Sequence, residues 1–80
     1  MDLEQILERV IELAKEQFPE AGTDMSADTT ASHVASWKSL SHVLLITRIE
    51  KEFGIKFDLL QMIGMASLGD ISRATLEAQQ

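Results

Sequence analysis

Leu3, Ile6, Leu7, Val10, Ile11, Ala14 and Phe18 recur three or four residues apart, the spacing that gathers side chains on one face of an α-helix. Asp2 stands where an N-cap would accept the first free N–H groups, and Pro19 stops the run, so the pattern predicts an amphipathic helix over residues 3 to 17. A second period, Leu40, Val43, Leu44, Ile46, Ile49 and Phe53, ends at Gly54, a natural C-cap, and predicts a second helix. Its apolar stripe is wider than a small core requires because Leu44 and Leu45 extend it, and one of the two is expected to face a partner. In the connector that follows, Ile55 and Phe57 flank Lys56. Asp58 is placed to cap a brief helical turn through Leu59, Leu60, Met62 and Ile63, closed by Gly64. Ser67, with Asp70 three positions on, resembles a capping box ahead of a last helix over about residues 68 to 78, with Ile71 and Thr75 facing inward.

Between Pro19 and Lys38 the period is lost: Ala, Thr, Ser and Asp dominate and Gly22 signals a turn. A connection of about 20 residues with no structure of its own is uncommon in a compact domain and tends to be functional or disordered. Val34 and Trp37 are apolar enough to pin its second half to the core, so an ordered loop leading into a functional helix start is expected. Trp37, just ahead of the second helix, is expected to pack as a staple, and Met25, Met62 and Met65 to fill gaps. The fold class that follows is all-α: a small four-helix bundle with a short third helix and a long loop between helices one and two, forming one domain over residues 1 to 80.

Composition narrows what such a bundle can do. The chain has 80 residues, 45% hydrophobic and 25% charged, and a domain of this size buries only about 60% of its unfolded surface. A self-contained catalytic cleft is therefore not expected. There is no cysteine, so thiol chemistry requires an attached group. No apolar stretch approaches the roughly 20 residues needed to cross a bilayer, and Met1, Asp2, Leu3 and Glu4 lack the basic start of a signal peptide. The chain reads as cytoplasmic, with no membrane partner, and Met1 and the polar tail at Gln79 and Gln80 suggest a free-standing protein, expected to be a monomer. The net charge is −6. Residues 1 to 28 hold eight acids against Arg9 and Lys15, while the rest of the chain balances five acids with five bases. All the net charge thus lies in the first third, including a ridge of Glu4, Glu8, Glu12 and Glu16. Such a surface repels nucleic acid and anionic lipid and either favours protein partners with basic patches or serves solubility alone.

The informative segment is Trp37-Lys38-Ser39-Leu40-Ser41-His42-Val43, leading to Ile49-Glu50-Lys51-Glu52-Phe53-Gly54-Ile55. It resembles the acyl carrier protein family, whose mark is Asp-Ser-Leu at the start of the second helix followed by a Leu/Ile-Glu-x-x-Phe-x-Ile ending. The resemblance covers nearly the whole chain, including the acidic first helix, the long loop with Asp28 and Thr29, and Ser67-Leu68-Gly69-Asp70-Ile71 before the last helix. It implies that a phosphopantetheinyl transferase moves 4'-phosphopantetheine from coenzyme A onto Ser39. The thiol of that arm then holds acyl groups as thioesters for acyl-loading and acyl-processing enzymes of fatty acid, polyketide or related biosynthesis. By the same resemblance the domain itself is expected to supply no catalytic residue and not to be an enzyme. The resemblance further implies that Leu40 and Val43 flank the arm and that a short acyl chain can shelter in the bundle core. A serine at a helix N-terminus places its hydroxyl beside unpaired N–H groups and the positive end of the helix dipole, a favourable position for a phosphodiester. Taken without the resemblance, Ser39 reads as an N-cap worth about 1 kcal/mol.

Two departures bear on recognition. Lys38 stands where the family has Asp, reversing a charge beside the helix N-terminus, and residues 38 to 53 carry Lys38, Arg48 and Lys51 against Glu50 and Glu52, a balance of +1. Partners that read Lys38, Leu40, Ser41, Val43, Leu44, Thr47 and Lys51 must be less basic than usual for the family or bind through apolar contact. The alternative function is a non-catalytic helical interaction module, a degenerate carrier whose Ser39 stays unmodified because of Lys38. Ser39 and His42, three apart on one helix, also invite a nucleophile and base reading. No acid is placed to orient the imidazole, and His42 is expected to be an exposed neighbour of the arm. His33, in the loop, and His42 do not make a specific metal site.

Overall fold

The predicted periods form four α-helices, α1 (Leu3–Gln17), α2 (Ser39–Phe53), α3 (Leu59–Gly64) and α4 (Leu68–Ala78), in a computed structural model that describes residues 1 to 22 and 24 to 80. Three of them start on a side chain that accepts the N–H three residues on, satisfying one of the first-turn donors that a helix leaves free. Asp2 accepts from Gln5 N at 2.9 Å, Asp58 from Gln61 N at 2.8 Å, and Ser67 from Asp70 N at 3.1 Å. In each case the third residue answers: the side-chain oxygens of Gln5, Gln61 and Asp70 accept the N-cap N–H. α2 ends at Gly54, whose φ of 66° is the left-handed C-cap conformation.

α1 packs against α4 and α2, and the core lies between them. Ile6, Val10, Leu13 and Ala14 of α1 meet Leu45, Ile46 and Ile49 of α2 and Leu68 and Ile71 of α4, with Phe18, Val34 and Trp37 closing one end. The faces differ from expectation at both long helices. Leu13 joins the core while Leu3 is exposed. On α2, Leu40, Val43 and Leu44 are exposed although the apolar period includes them, and Leu45 is the buried member of its pair. α1 packs on one side of α2, and the core arc of α2 on that side is Leu45, Ile46 and Ile49. Leu40, Leu44, Thr47 and Lys51, spaced four, three and four residues apart, share the opposite stripe.

The long connection is ordered among the described residues. It contains two short 3-10 turns, Pro19–Ala21 and Ala31–His33, and it is tied to the start of α4. Leu68 N donates to Thr29 O at 3.1 Å, Gly69 N donates to Ala27 O at 2.8 Å, and Thr30 forms a bridge with Ser67. Gly69 suits this approach, since a Cβ there would stand 3.0 Å from the Ala27 carbonyl oxygen. The Ser36 hydroxyl donates to the Glu20 carboxylate, linking the two ends of the loop. After α2 the connector folds back through Glu50, a buried carboxylate that accepts from Phe57 N at 2.8 Å.

Candidate functional site

α2 begins without the device the other helices use. Its N-cap is Lys38, in extended conformation, and a lysine side chain carries no acceptor for the first-turn N–H groups. Ser39 is therefore the first helical residue and not the N-cap. Ser41 supplies the missing order from the third helical position: its Oγ accepts from Lys38 N at 2.7 Å and donates to Ser36 O at 2.6 Å. This half-buried hydroxyl closes the turn leading into α2. The Ser39 hydroxyl is exposed and makes no hydrogen bond among the described residues, beside N–H groups at the positive end of the α2 dipole that no side chain caps.

His42, one turn further on, is half-buried and bonded at both ring nitrogens, contrary to the exposed position expected of it. Trp37 Nε1 donates to His42 Nδ1 at 2.9 Å, and His42 Nε2 lies 2.8 Å from Met62 O. An indole N–H can only donate and a carbonyl can only accept, so the bonding assigns the neutral tautomer with the proton on Nε2. The same indole stacks on His42, with ring centroids 5.9 Å apart, and on Phe18, at 5.6 Å. Trp37 precedes the N-cap and His42 is the fourth helical residue, the two positions of a staple. A polar bond and ring stacking thus fasten the staple contact, and the bond to Met62 carries it on to α3.

This strut spans an open groove of about 680 Å³. Its apolar walls come from Trp37 and Val43 on one side and Leu59, Met62 and Ile63 of α3 on the other, with Met65 at its base and the Thr30 to Ser32 turn at one end. Lys38, Ser39 and His42 form its polar border. The small domain therefore does present a sizeable concavity, but an open one between α2 and α3 rather than an enclosed cleft. Trp37 and Met65, which belong to the buried core, also line the groove.

The remaining candidate residues take up two situations. Leu40, Val43, Leu44, Thr47 and Lys51 are all exposed, and Val43 also lines the groove. The Thr47 hydroxyl donates to Val43 O at 2.8 Å, so it is spent within α2. Ser41, by contrast, is engaged inside the turn. Leu59, Leu60 and Ile63 of α3 are exposed as well, and they extend the apolar surface beyond the residues singled out on α2. The strut itself is legible only in part. Trp37 and His42 have the spacing of a staple, but the Met62 carbonyl leaves no trace in side-chain pattern. His33 is exposed and its Nδ1 accepts from Thr30 N at 3.0 Å, holding the loop turn.

Among the described residues, no group of three His, Cys, Asp or Glu side chains is placed to hold a metal ion, and no helix is long and apolar enough to cross a membrane. No protein-family model and no curated protein matches the chain.

Proposed function

We propose that the chain is a carrier protein. It holds acyl or related intermediates as thioesters on a 4'-phosphopantetheine arm attached to Ser39 and presents them to partner enzymes of fatty acid, polyketide or related biosynthesis. The observation that carries this reading is the placement of Ser39: an exposed hydroxyl, free of internal hydrogen bonds among the described residues, at the first helical position of α2 and on the border of an apolar groove. The resemblance of the segment from Trp37 to Ile55 to acyl carrier proteins supplies the chemistry.

The residues around Ser39 fit a phosphodiester. First-turn N–H groups that no N-cap side chain accepts can hydrogen-bond its oxygens, and the helix dipole and the Lys38 ammonium both favour an anion there. When bound, the group supplies a terminal thiol on which acyl groups are carried. In the attachment step Ser39 Oγ forms a new bond to the phosphorus that carries the pantetheine in coenzyme A. The pyrophosphate bond of coenzyme A breaks, adenosine 3',5'-bisphosphate leaves, and the hydroxyl proton passes to a base on the transferase. His42 is not that base, because its Nδ1 lone pair is taken by Trp37 and its Nε2 proton by Met62 O. Its role is to hold the two sides of the groove together.

Lys38 favours a second reading, in which the scaffold is retained as a helical interaction module and Ser39 is left unmodified. Intact-mass spectrometry after incubation with coenzyme A and a broad-specificity phosphopantetheinyl transferase separates the two. The carrier reading expects a gain of one phosphopantetheinyl group, lost in Ser39→Ala. A gain confined to Lys38→Asp would establish the second.

A further inference from the structure

We propose that His42 is a pH-sensitive latch at the start of α2, which fastens the long loop to α3 while its ring is neutral and releases the loop when the ring is protonated. This goes beyond the carrier reading and stands without it, because neither bond of the latch involves Ser39. The geometry fixes which bond each protonation state keeps. Trp37 Nε1–H donates to His42 Nδ1 across 2.9 Å, and an indole nitrogen has no acceptor to offer in return. A second proton on the ring must enter at Nδ1, since Nε2 already carries the one given to Met62 O. Two N–H groups would then confront one another, and that bond is lost. The bond to Met62 O survives in a stronger form, because a cationic donor bonds about twice as strongly as a neutral one. The two rings are already stacked, and an imidazolium is attracted to an indole face. Protonation therefore frees the indole N–H without expelling Trp37 from the core, and His42 passes from bridging loop and α3 to holding α3 alone.

The surroundings do not offset the new charge. The described residues that line the groove include no carboxylate, and the charged one among them is Lys38, a second cation. Along α2 the next charged side chain after Lys38 is Arg48, also a cation. α3 carries no charged side chain, and its N-cap Asp58 is exposed and outside the groove lining. On the loop side the Thr30 to Ser32 turn is uncharged, and His33, which follows it, accepts from Thr30 N. Glu20, which accepts from the Ser36 hydroxyl at the loop end, is likewise outside the groove lining. The folded chain bonds the neutral ring, so the proton that this contact excludes is one the unfolded chain can bind. The contribution of the latch is then present above the imidazole range and lost as pH falls through it.

Nuclear magnetic resonance of the ¹⁵N-labelled, unmodified chain, titrated from about pH 8 to about pH 5, tests the latch across the window in which histidines ordinarily change charge. The carboxylates of Glu52 and Asp70, held below their ordinary values, stay ionised throughout it. At the upper end the His42 ring nitrogens should show the Nε2–H tautomer. As the ring takes up its proton, the indole N–H of Trp37, the single tryptophan, should lose protection against exchange by about fivefold relative to free tryptophan at the same pH, the factor that one ordinary hydrogen bond carries. Both changes should share one midpoint, while the amides of α1 and α4 stay protected. His42→Gln, whose amide can accept from Trp37 and donate to Met62 without titrating, should keep the indole protected at every pH, and His33→Gln should behave as the parent chain. An indole still protected once His42 is protonated, a response that persists in His42→Gln or vanishes in His33→Gln, or loss of protection throughout the core at the same midpoint would overturn the proposal. The parent titration decides the matter even where His42→Gln does not fold. Ser39→Ala is expected to titrate like the parent chain, so failure of Ser39 to accept phosphopantetheine leaves this result unaffected.

Discussion

His42 connects the end of the long loop, the first turn of α2 and the backbone of α3 through one ring. Removing that ring leaves the Trp37 indole N–H and the Met62 carbonyl without their partner in a half-buried site, and such losses cost about 1 to 3 kcal/mol. His42→Ala should lower the free energy of unfolding by that amount in urea titration followed by far-ultraviolet circular dichroism. Trp37→Phe keeps the stacking on Phe18 but removes the donor. The two changes should be non-additive by about 0.5 to 1.5 kcal/mol in a double-mutant cycle, since they delete one shared bond. Lys38 runs in the opposite direction. Lys38→Asp provides the acceptor that α2 lacks and replaces a cation by an anion at the positive end of its dipole. The variant should unfold at higher urea, with a gain of about 1 kcal/mol. Lys38 thus occupies the N-cap at some expense in stability.

Two helices carry depressed carboxylates: Glu52 of α2, lowered chiefly by its hydrogen bond from Arg9, and Asp70 of α4. The Asp70 carboxylate is held below its ordinary pKa of 3.8, chiefly by the Ala66 N–H, with partial burial opposing and with Arg73 and the Ser67 N–H assisting. A depressed folded pKa gives stability that is fully present above the unfolded value and is lost as pH falls through the folded one. The urea midpoint should therefore be insensitive to Asp70 above about pH 5 and decline below about pH 4. Asp70→Asn should lower the midpoint at neutral pH and flatten the acid limb.

The element boundaries were legible wherever a capping side chain stands in sequence, as Asp2, Asp58 and Ser67 do. The start of α2 was displaced because Ser39 has the chemistry of an N-cap and Lys38 does not, although Lys38 occupies the position. Periodicity located α2 but not its faces. Leu40, Val43 and Leu44 satisfy the same apolar rule as Leu45, Ile46 and Ile49, and only the packing of α1 on one side of the helix separates them. The groove was not legible at all. Its walls combine Trp37 and Val43 with Met62 and the turn at Thr30 to Ser32, residues brought together by the loop's attachment to α4 through the Thr29 and Ala27 carbonyls.

At the scale of the molecule, a radius of gyration of 11.3 Å matches the roughly 12 Å of a fully packed chain of this length. The single core is complete without the α2–α3 surface. The charge is divided in the same sense. One acid of α1, Glu16, bridges to Arg48 of α2, while Glu12 pairs with Arg9 within α1, and Lys38 and Lys51 stand exposed on the side of α2 that carries Ser39 and Leu40. A molecule built this way offers one exposed hydroxyl at a helix start, one groove beside it and one apolar surface around both, with its stability supplied from the other side. The carrier reading turns on that hydroxyl. Intact-mass spectrometry of the chain after incubation with coenzyme A and a phosphopantetheinyl transferase should show the addition of one phosphopantetheinyl group, located on Ser39 by peptide mapping and absent in Ser39→Ala. An unchanged mass of the chain would contradict it, whether or not Lys38→Asp gains the group.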